Sequence, residues 1–197
     1  MDTRKRKAQL RARIQQARRE MTADEIQHED SSIIAHTAAL LRSMSPSETS
    51  VAAYSPLPGE PGGQLLLDAL HGEASSLLLP ICLPGNILDW AQYQGRLALN
   101  PGVLGIAEPA SPRLGPEAIS SCRLILIPAL GVSPEGIRMG KGGGYYDRAL
   151  AQLTKLADPP RTAVLVYNGE IRSDVPTEDH DAAVDMAITP SGIRTFH

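Results

Sequence analysis

The run Arg138-Met139-Gly140-Lys141-Gly142-Gly143-Gly144-Tyr145-Tyr146-Asp147-Arg148 gathers the groups that handle a chain of phosphates. Four glycines within residues 140–144 let backbone N–H groups converge on anionic oxygens through conformations that a Cβ would forbid. Arg138 adds a planar, bidentate fork and Lys141 a mobile point charge. Asp147 follows a few residues later, where a carboxylate beside bound phosphates can hold Mg2+. Together these point to a metal-nucleotide site. A glycine turn with two basic residues is also common as a plain solvated loop, so its setting has to decide. Residues 123–128 (Arg-Leu-Ile-Leu-Ile-Pro) read as a buried parallel strand, and residues 146–153 have helical composition and apolar spacing. A loop between strand and helix aims its amides and the positive end of the helix dipole at one spot. No Gly-Lys-Ser/Thr follows the glycines, as a Walker A loop requires, and the spacing is not that of a dinucleotide fingerprint.

The elements that would hold this loop follow from periodicity. Leu10, Ile14, Ala17 and Met21 recur at spacings of one helical face. Lys7, Arg11 and Arg18 share a neighbouring face, either a solvated stripe or one where Lys7 and Arg11, a turn apart, reach a phosphate. Thr22-Ala23-Asp24-Glu25 has the form of a capping box and predicts a second helix through Leu41. A strand at 51–54, a Pro/Gly-shaped loop carrying Glu60 at its edge, a helix at 64–71 and a strand at 76–80 make a βαβ unit, which favours a parallel sheet. Between residues 81 and 112 the signal weakens. Short strands at 88–90 and 97–99 are expected there as antiparallel additions, followed after the helix at 146 by a buried strand at 162–167.

Composition narrows the class. The 197 residues are 42% hydrophobic and 21% charged, with a net charge of −3, as in ordinary water-soluble domains and without a global pull toward nucleic acid or membrane. One Phe, one Trp and five Tyr leave the core to aliphatic residues and argue against stacking on successive bases. Cys82 and Cys122 have no partner at zinc-ligand spacing and read as buried free thiols. The basic N-terminus is followed by no apolar stretch, so a cytoplasmic protein is expected. The reading is a single α/β domain over 1–197: a three-layer α/β/α sandwich with a mostly parallel mixed sheet, and residues 1–45 as an N-terminal helical arm packed on it.

Residues 127–148, with Gly136-Ile137-Arg138-Met139-Gly140-Lys141-Gly142-Gly143-Gly144-Tyr145-Tyr146-Asp147-Arg148 at their heart, resemble the signature of the 5-formyltetrahydrofolate cyclo-ligase family, also called methenyltetrahydrofolate synthetases. Lys7-Ala8-Gln9-Leu10-Arg11, residues 54–60, Gly105-Ile106-Ala107-Glu108-Pro109 and residues 176–185 agree in order and spacing, so the resemblance spans nearly the whole chain. Met139 stands where the family usually has Leu, a volume-conserving exchange.

The resemblance implies ATP- and Mg2+-dependent closure of 5-formyltetrahydrofolate to 5,10-methenyltetrahydrofolate. It assigns the ATP phosphates to Lys7, Arg11, Arg138, Gly140, Lys141, Gly142, Gly143, Gly144, Tyr145 and Tyr146, with Arg138, Lys141 and Tyr145 at the reacting centre. Asp147 and Asp181 become the metal ligands, Asp181 ranking above Asp185, and His180 a metal-loop residue. Glu60 becomes the acceptor of paired pterin N–H groups, with Leu57, Trp90 and Tyr145 lining the folate pocket. Trp90 has a buried core position as its alternative role. The expected partners are folate and ATP alone, with no nucleic acid, no membrane and a monomeric chain. The competing readings are another ATP-dependent ligase or kinase, which would have no use for a pterin carboxylate at Glu60, and a non-catalytic folate or nucleotide binder, which need not keep Lys7, Arg138 and Asp147.

Overall fold

Asp2 caps the first helix by accepting the Arg4 N–H, and α1 (Thr3–Glu20) follows. The capping box forms as expected: Thr22 Oγ1 accepts the Glu25 N–H at 3.2 Å, Glu25 Oε2 accepts the Thr22 N–H at 2.7 Å, and α2 (Ala23–Ser43) begins. Then come β1 (Ser50–Ala52), α3 (Leu66–Glu73), β2 (Ser76–Leu83), β3 (Ile87–Gln92), β4 (Leu99–Pro101), β5 (Ala107–Pro109) and β6 (Leu124–Pro128). The chain ends with β7 (Gly131–Val132), β8 (Arg138–Met139), α4 (Tyr145–Leu153), β9 (Arg161–Leu165), β10 (Met186–Thr189) and β11 (Gly192–Thr195). This computed structural model describes residues 2–45, 49–178, 181 and 183–196.

Seven strands form one sheet in the order β11-β10-β9-β6-β1-β2-β3. The strands β10, β9, β6, β1 and β2 run parallel, and β3 and β11 are antiparallel at the two edges. Alternate residues of the central strands therefore supply two separate cores. On one face Val51, Leu77, Leu124, Leu126 and Leu165 pack with Ile33 and Leu41 of α2 and Leu66 and Leu70 of α3. On the other, Ala52, Leu78, Ile125, Ile127 and Val164 pack with Leu150 and Leu153 of α4 and with Ile119. The expected three-layer α/β fold is present, with its mixed, mostly parallel sheet.

Several local expectations change. The helix α2 packs on the sheet and, with α3, forms one outer layer of the sandwich, its Ile33 and Leu41 sealed in the sheet core. The face of α1 that is buried runs Lys7, Leu10, Ile14, Arg18, while Ala17 is exposed. Two cations take the inward positions because each finds carboxylates there. Arg18 forks onto Glu170 with two bonds of 2.7 Å, donates to Ala129 O at 3.0 Å and lies over the Tyr167 ring. Residues 97–99 divide into a 3-10 turn (Arg96–Ala98) and the start of β4. The hairpin β7–β8 intervenes between β6 and the glycine loop, so loop and strand are not contiguous. The edge strand β11 had no apolar pattern to announce it.

Candidate functional site

The strand order reverses between β1 and β6, since β2 and β3 extend from one side of this pair and β9, β10 and β11 from the other. At such a point the connections leave in opposite directions and open a crevice beyond the carboxyl ends of the strands. A cavity of about 310 Å³ lies there, with Tyr54 and Ser55 just past β1 and Pro128 and Ala129 just past β6 in its wall. The glycine loop and the start of α4 close another side, residues 140–147 all lining the cavity. Leu104 and Ile106 cover it from the β4–β5 hairpin, which Glu108 fastens to β2 by accepting the Cys82 N–H at 3.0 Å.

The loop has the backbone its glycines foretold. Gly142 sits at φ 100° and Gly144, the residue before α4, at φ 72°, both in the region that favours glycine. A side chain on Gly140 would strike the Arg138 guanidinium, and a Cβ on Gly142 would stand 3.5 Å from the guanidinium carbon of Arg11. Arg11 reaches the loop across the fold, its Nε donating to Gly140 O at 2.8 Å.

Among the described residues each of these cations except Arg11 holds a carboxylate. Lys7 Nζ lies 2.6 Å from Asp181 Oδ2 and 2.7 Å from Glu178 Oε2. Burial alone would lower the Lys7 ammonium, but the hydrogen bonds to Asp181 and Glu178 outweigh it and the group titrates above its ordinary value. Buried Arg138 pairs with Asp147 and also donates to Pro128 O at 3.3 Å. Lys141 Nζ is 2.7 Å from Glu60 Oε1, while Glu60 Oε2 accepts the Leu57 N–H at 2.8 Å. An anionic ligand that reaches Lys7, Arg138 or Lys141 therefore has to displace a carboxylate.

The expected site residues Leu57, Glu60, Arg138, Lys141, Tyr145, Tyr146, Asp147 and the four glycines line one cavity. Arg11 reaches the cavity wall through Gly140 O, whereas Lys7, a turn earlier on α1, and the Asp181 it holds do not line the cavity. Trp90 does not line it: the indole is fully buried among Leu88, Ile125 and Ile127, edge-on to Tyr146 with centroids 6.5 Å apart. Its place in β3, facing the core beneath α4, leaves no ligand-accessible surface, which corrects the pocket role. Asp185 is separated from Asp181 by its partners, since its Oδ2 accepts the Thr162 N–H at 2.6 Å and the Thr162 hydroxyl at 2.8 Å and so clasps β9 to the start of β10. His180 lies outside the described residues. Cys122 is buried as expected, and burial pushes its thiol up to about 12; Cys82 is only half-buried and lines the cavity. Tyr146, expected at the ATP phosphates, has its hydroxyl buried beside the cavity with no protein partner among the described residues. Burial raises it far above its ordinary value, so it stays a donor that a ligand can satisfy.

Mg2+ takes hard oxygen ligands and commonly uses only one or two carboxylates plus phosphate oxygens. Asp147 suits that chemistry: it heads α4 directly after the glycine loop and is 61% exposed against 6% for its partner Arg138, so it can turn to a cation at little desolvation cost. No group of three or more His, Cys, Asp or Glu that could bind a metal by itself occurs among the described residues. A lone, mostly exposed carboxylate at this position fits a metal that takes its other ligands from phosphate oxygens and water.

A doubly wound sheet with a cavity at its switch point, walled by a glycine loop, cations and a buried carboxylate, defines an α/β enzyme for anionic small molecules. The chain belongs to the 5-formyltetrahydrofolate cyclo-ligase family, whose model matches residues 3–190, and is thereby a ligase of folate metabolism. A 5-formyltetrahydrofolate cyclo-ligase of Mycolicibacterium smegmatis is 35% identical over 153 residues, 71% of this chain and 73% of that protein. One from Haemophilus influenzae is 25% identical over 183 residues, covering 92% and 95%. The 5,10-methenyltetrahydrofolate synthetase of Aquifex aeolicus superposes with a TM-score of 0.79 at 26% identity, over 97% of this chain and 93% of that one. The Mycoplasma pneumoniae synthetase shares the fold with a TM-score of 0.73 at 22% identity, over 96% and 99%. No helix among the described residues is long and apolar enough to cross a membrane.

Proposed function

We propose that the chain closes 5-formyltetrahydrofolate to 5,10-methenyltetrahydrofolate at the expense of ATP, with Mg2+, in the cavity at the β1/β6 switch point. The observation that carries this reading is the 2.7 Å contact between Lys141 of the phosphate loop and Glu60 of the opposite wall. It makes the groups suited to a triphosphate and the group suited to a pterin immediate neighbours, as transfer between two bound substrates requires.

In this reading Arg138, Lys141, Lys7, Arg11 and the amides of residues 140–144 bind and orient the triphosphate. Asp147 and Asp181 hold Mg2+, which supplies neutralisation of the charge developing on the phosphoryl group. Glu60 accepts paired pterin N–H groups, with Leu57 and Tyr145 against the ring, and the apolar cover of Leu104 and Ile106 keeps water from the reacting centre. The γ-phosphoryl passes to the formyl oxygen, which is otherwise a poor leaving group. The N10 lone pair then attacks the formyl carbon, N10 gives up its proton, and the C–O bond breaks to release phosphate. No protein nucleophile is needed, since phosphoryl transfer depends on positioning and electrostatics.

The test is direct. Purified protein with 5-formyltetrahydrofolate, ATP and Mg2+ should give the near-ultraviolet absorbance of the methenyl product, and omission of ATP should abolish it. Absence of product with both substrates present would overturn the proposal.

A further inference from the structure

We propose that Asp30 is a positioning residue for the substrate-binding carboxylate Glu60, which it fixes through the backbone of the turn at residues 59–63. The inference rests on the reading of Glu60 as the pterin acceptor. Asp30 lies within α2, where the helix otherwise turns Ile33, Thr37 and Leu41 inward, and it is itself buried. A carboxylate in such a place is costly unless it is fully bonded.

Its bonds lead to the active site. Asp30 Oδ1 accepts the Gly62 N–H at 2.8 Å and the Tyr167 hydroxyl at 3.0 Å. A Cβ on Gly63 would stand 2.5 Å from Oδ2, and Gly62 and Gly63 have φ of 89° and 51°, so the turn can lie against the carboxylate only because both residues are glycine. One residue earlier Pro61 O accepts the Tyr54 hydroxyl at 2.6 Å, and Gly63 N donates back to Glu60 O at 3.3 Å. The turn belongs to no strand ladder, so these side-chain bonds do what a ladder would do elsewhere. The far end of the network is rigid, because Tyr167 N donates to Glu170 Oε2 at 2.9 Å and Glu170 holds Arg18. Asp30 is absent from the cavity wall, so its effect passes through the main chain of residues 60–62.

Steady-state kinetics of Asp30→Ala, Asp30→Asn and Glu60→Gln separate this from a purely structural role. Asp30→Ala should raise KM for 5-formyltetrahydrofolate about tenfold while KM for ATP stays within about twofold. Asp30→Asn keeps an oxygen for Gly62 and Tyr167 and should restore most of the loss. Asp30→Ala should add little in a Glu60→Gln background, as expected of residues acting through one another. Equal changes in both KM values, no rescue by Asn, or full additivity with Glu60→Gln would each overturn the inference. If Asp30→Ala does not fold, Tyr167→Phe removes one of the two bonds and should raise the folate KM alone by about threefold; an unchanged value overturns the inference. A Glu60→Gln enzyme with normal folate KM would overturn the Glu60 assignment and this inference with it, whereas a defective Glu60→Gln beside a silent Asp30→Ala overturns the inference alone.

Discussion

Replacing Lys141 with methionine should move the affinities for the two substrates in opposite directions. In the structure Lys141 Nζ sits 2.7 Å from Glu60 Oε1, with the lysine side chain 43% exposed and the glutamate 9%. Unit charges about 4 Å apart attract by about 4 kcal/mol at an effective dielectric of about 20, and solvent on the lysine side and its lost rotamer freedom reduce the net to about 1–2 kcal/mol. If Glu60 takes the proposed pterin role, a pterin has to overcome that amount, because its N–H groups compete with the ammonium. In Lys141→Met the aliphatic stem remains and the competitor is gone, so 5-formyltetrahydrofolate should bind about 5–30-fold more tightly in the absence of ATP. On the proposed function the same change also removes a charge-assisted phosphate contact, of about 1.5–3 kcal/mol, and should raise KM for ATP by about 10–150-fold. Calorimetric titration of folate without nucleotide and initial rates of methenyl formation at varied ATP read the two arms. Weaker folate binding in the variant would refute the competition, and an unchanged KM for ATP would return Lys141 to the role of a surface charge.

Asp147→Asn should lower turnover at least about a hundredfold, with a higher Mg2+ requirement, because its proposed task is ligation, and should lower the melting temperature somewhat because buried Arg138 loses its charged partner; activity near that of the parent protein at limiting Mg2+ would remove it from the metal site. Arg18→Met strands buried Glu170 and should cost about 3–5 kcal/mol in denaturant unfolding, a fall of roughly 6–20 °C in Tm, with the Glu170→Met double variant recovering part but not all of it because Tyr167 N also needs Glu170. A loss below about 1 kcal/mol would mean that the pair is solvated. Cys82 and Cys122 both titrate above an ordinary thiol through burial, with Glu108 adding to the effect at Cys82. Thiol-specific labelling of the native protein should therefore be slow at neutral pH, faster at Cys82 than at Cys122 as pH rises, and slowed at Cys82 alone by 5-formyltetrahydrofolate; protection of Cys122 without Cys82 would contradict the cavity described.

The glycine loop was legible in the sequence because its conformation is local. Four glycines around Lys141, a preceding arginine and a following helix can be read within eleven residues, and φ values of 100° at Gly142 and 72° at Gly144 are what such spacing asks for. Strands β1, β2, β6 and β9 were legible for the same reason, since doubly buried parallel strands are short unbroken apolar runs. The edge strand β11 was not, because three of its four residues are exposed and pairing with β10, rather than its own pattern, makes it a strand.

Partner choice was beyond the sequence altogether. Arg18 looked like Lys7 and Arg11 in spacing and charge, yet it is a buried structural cation because Glu170, 152 residues away, meets it. Asp181 and Asp185, which only the resemblance ranked, have different partners: Thr162 holds Asp185 and Lys7 holds Asp181. Trp90 could have faced ligand or core, and the register of β3 against β2 turned it inward. Local conformation and apolar period are short-range properties that a sequence determines by itself. Which charge meets which is set by the crossing of distant elements, and burial then decides whether a charge is a tool for a ligand or a fixed part of the fold.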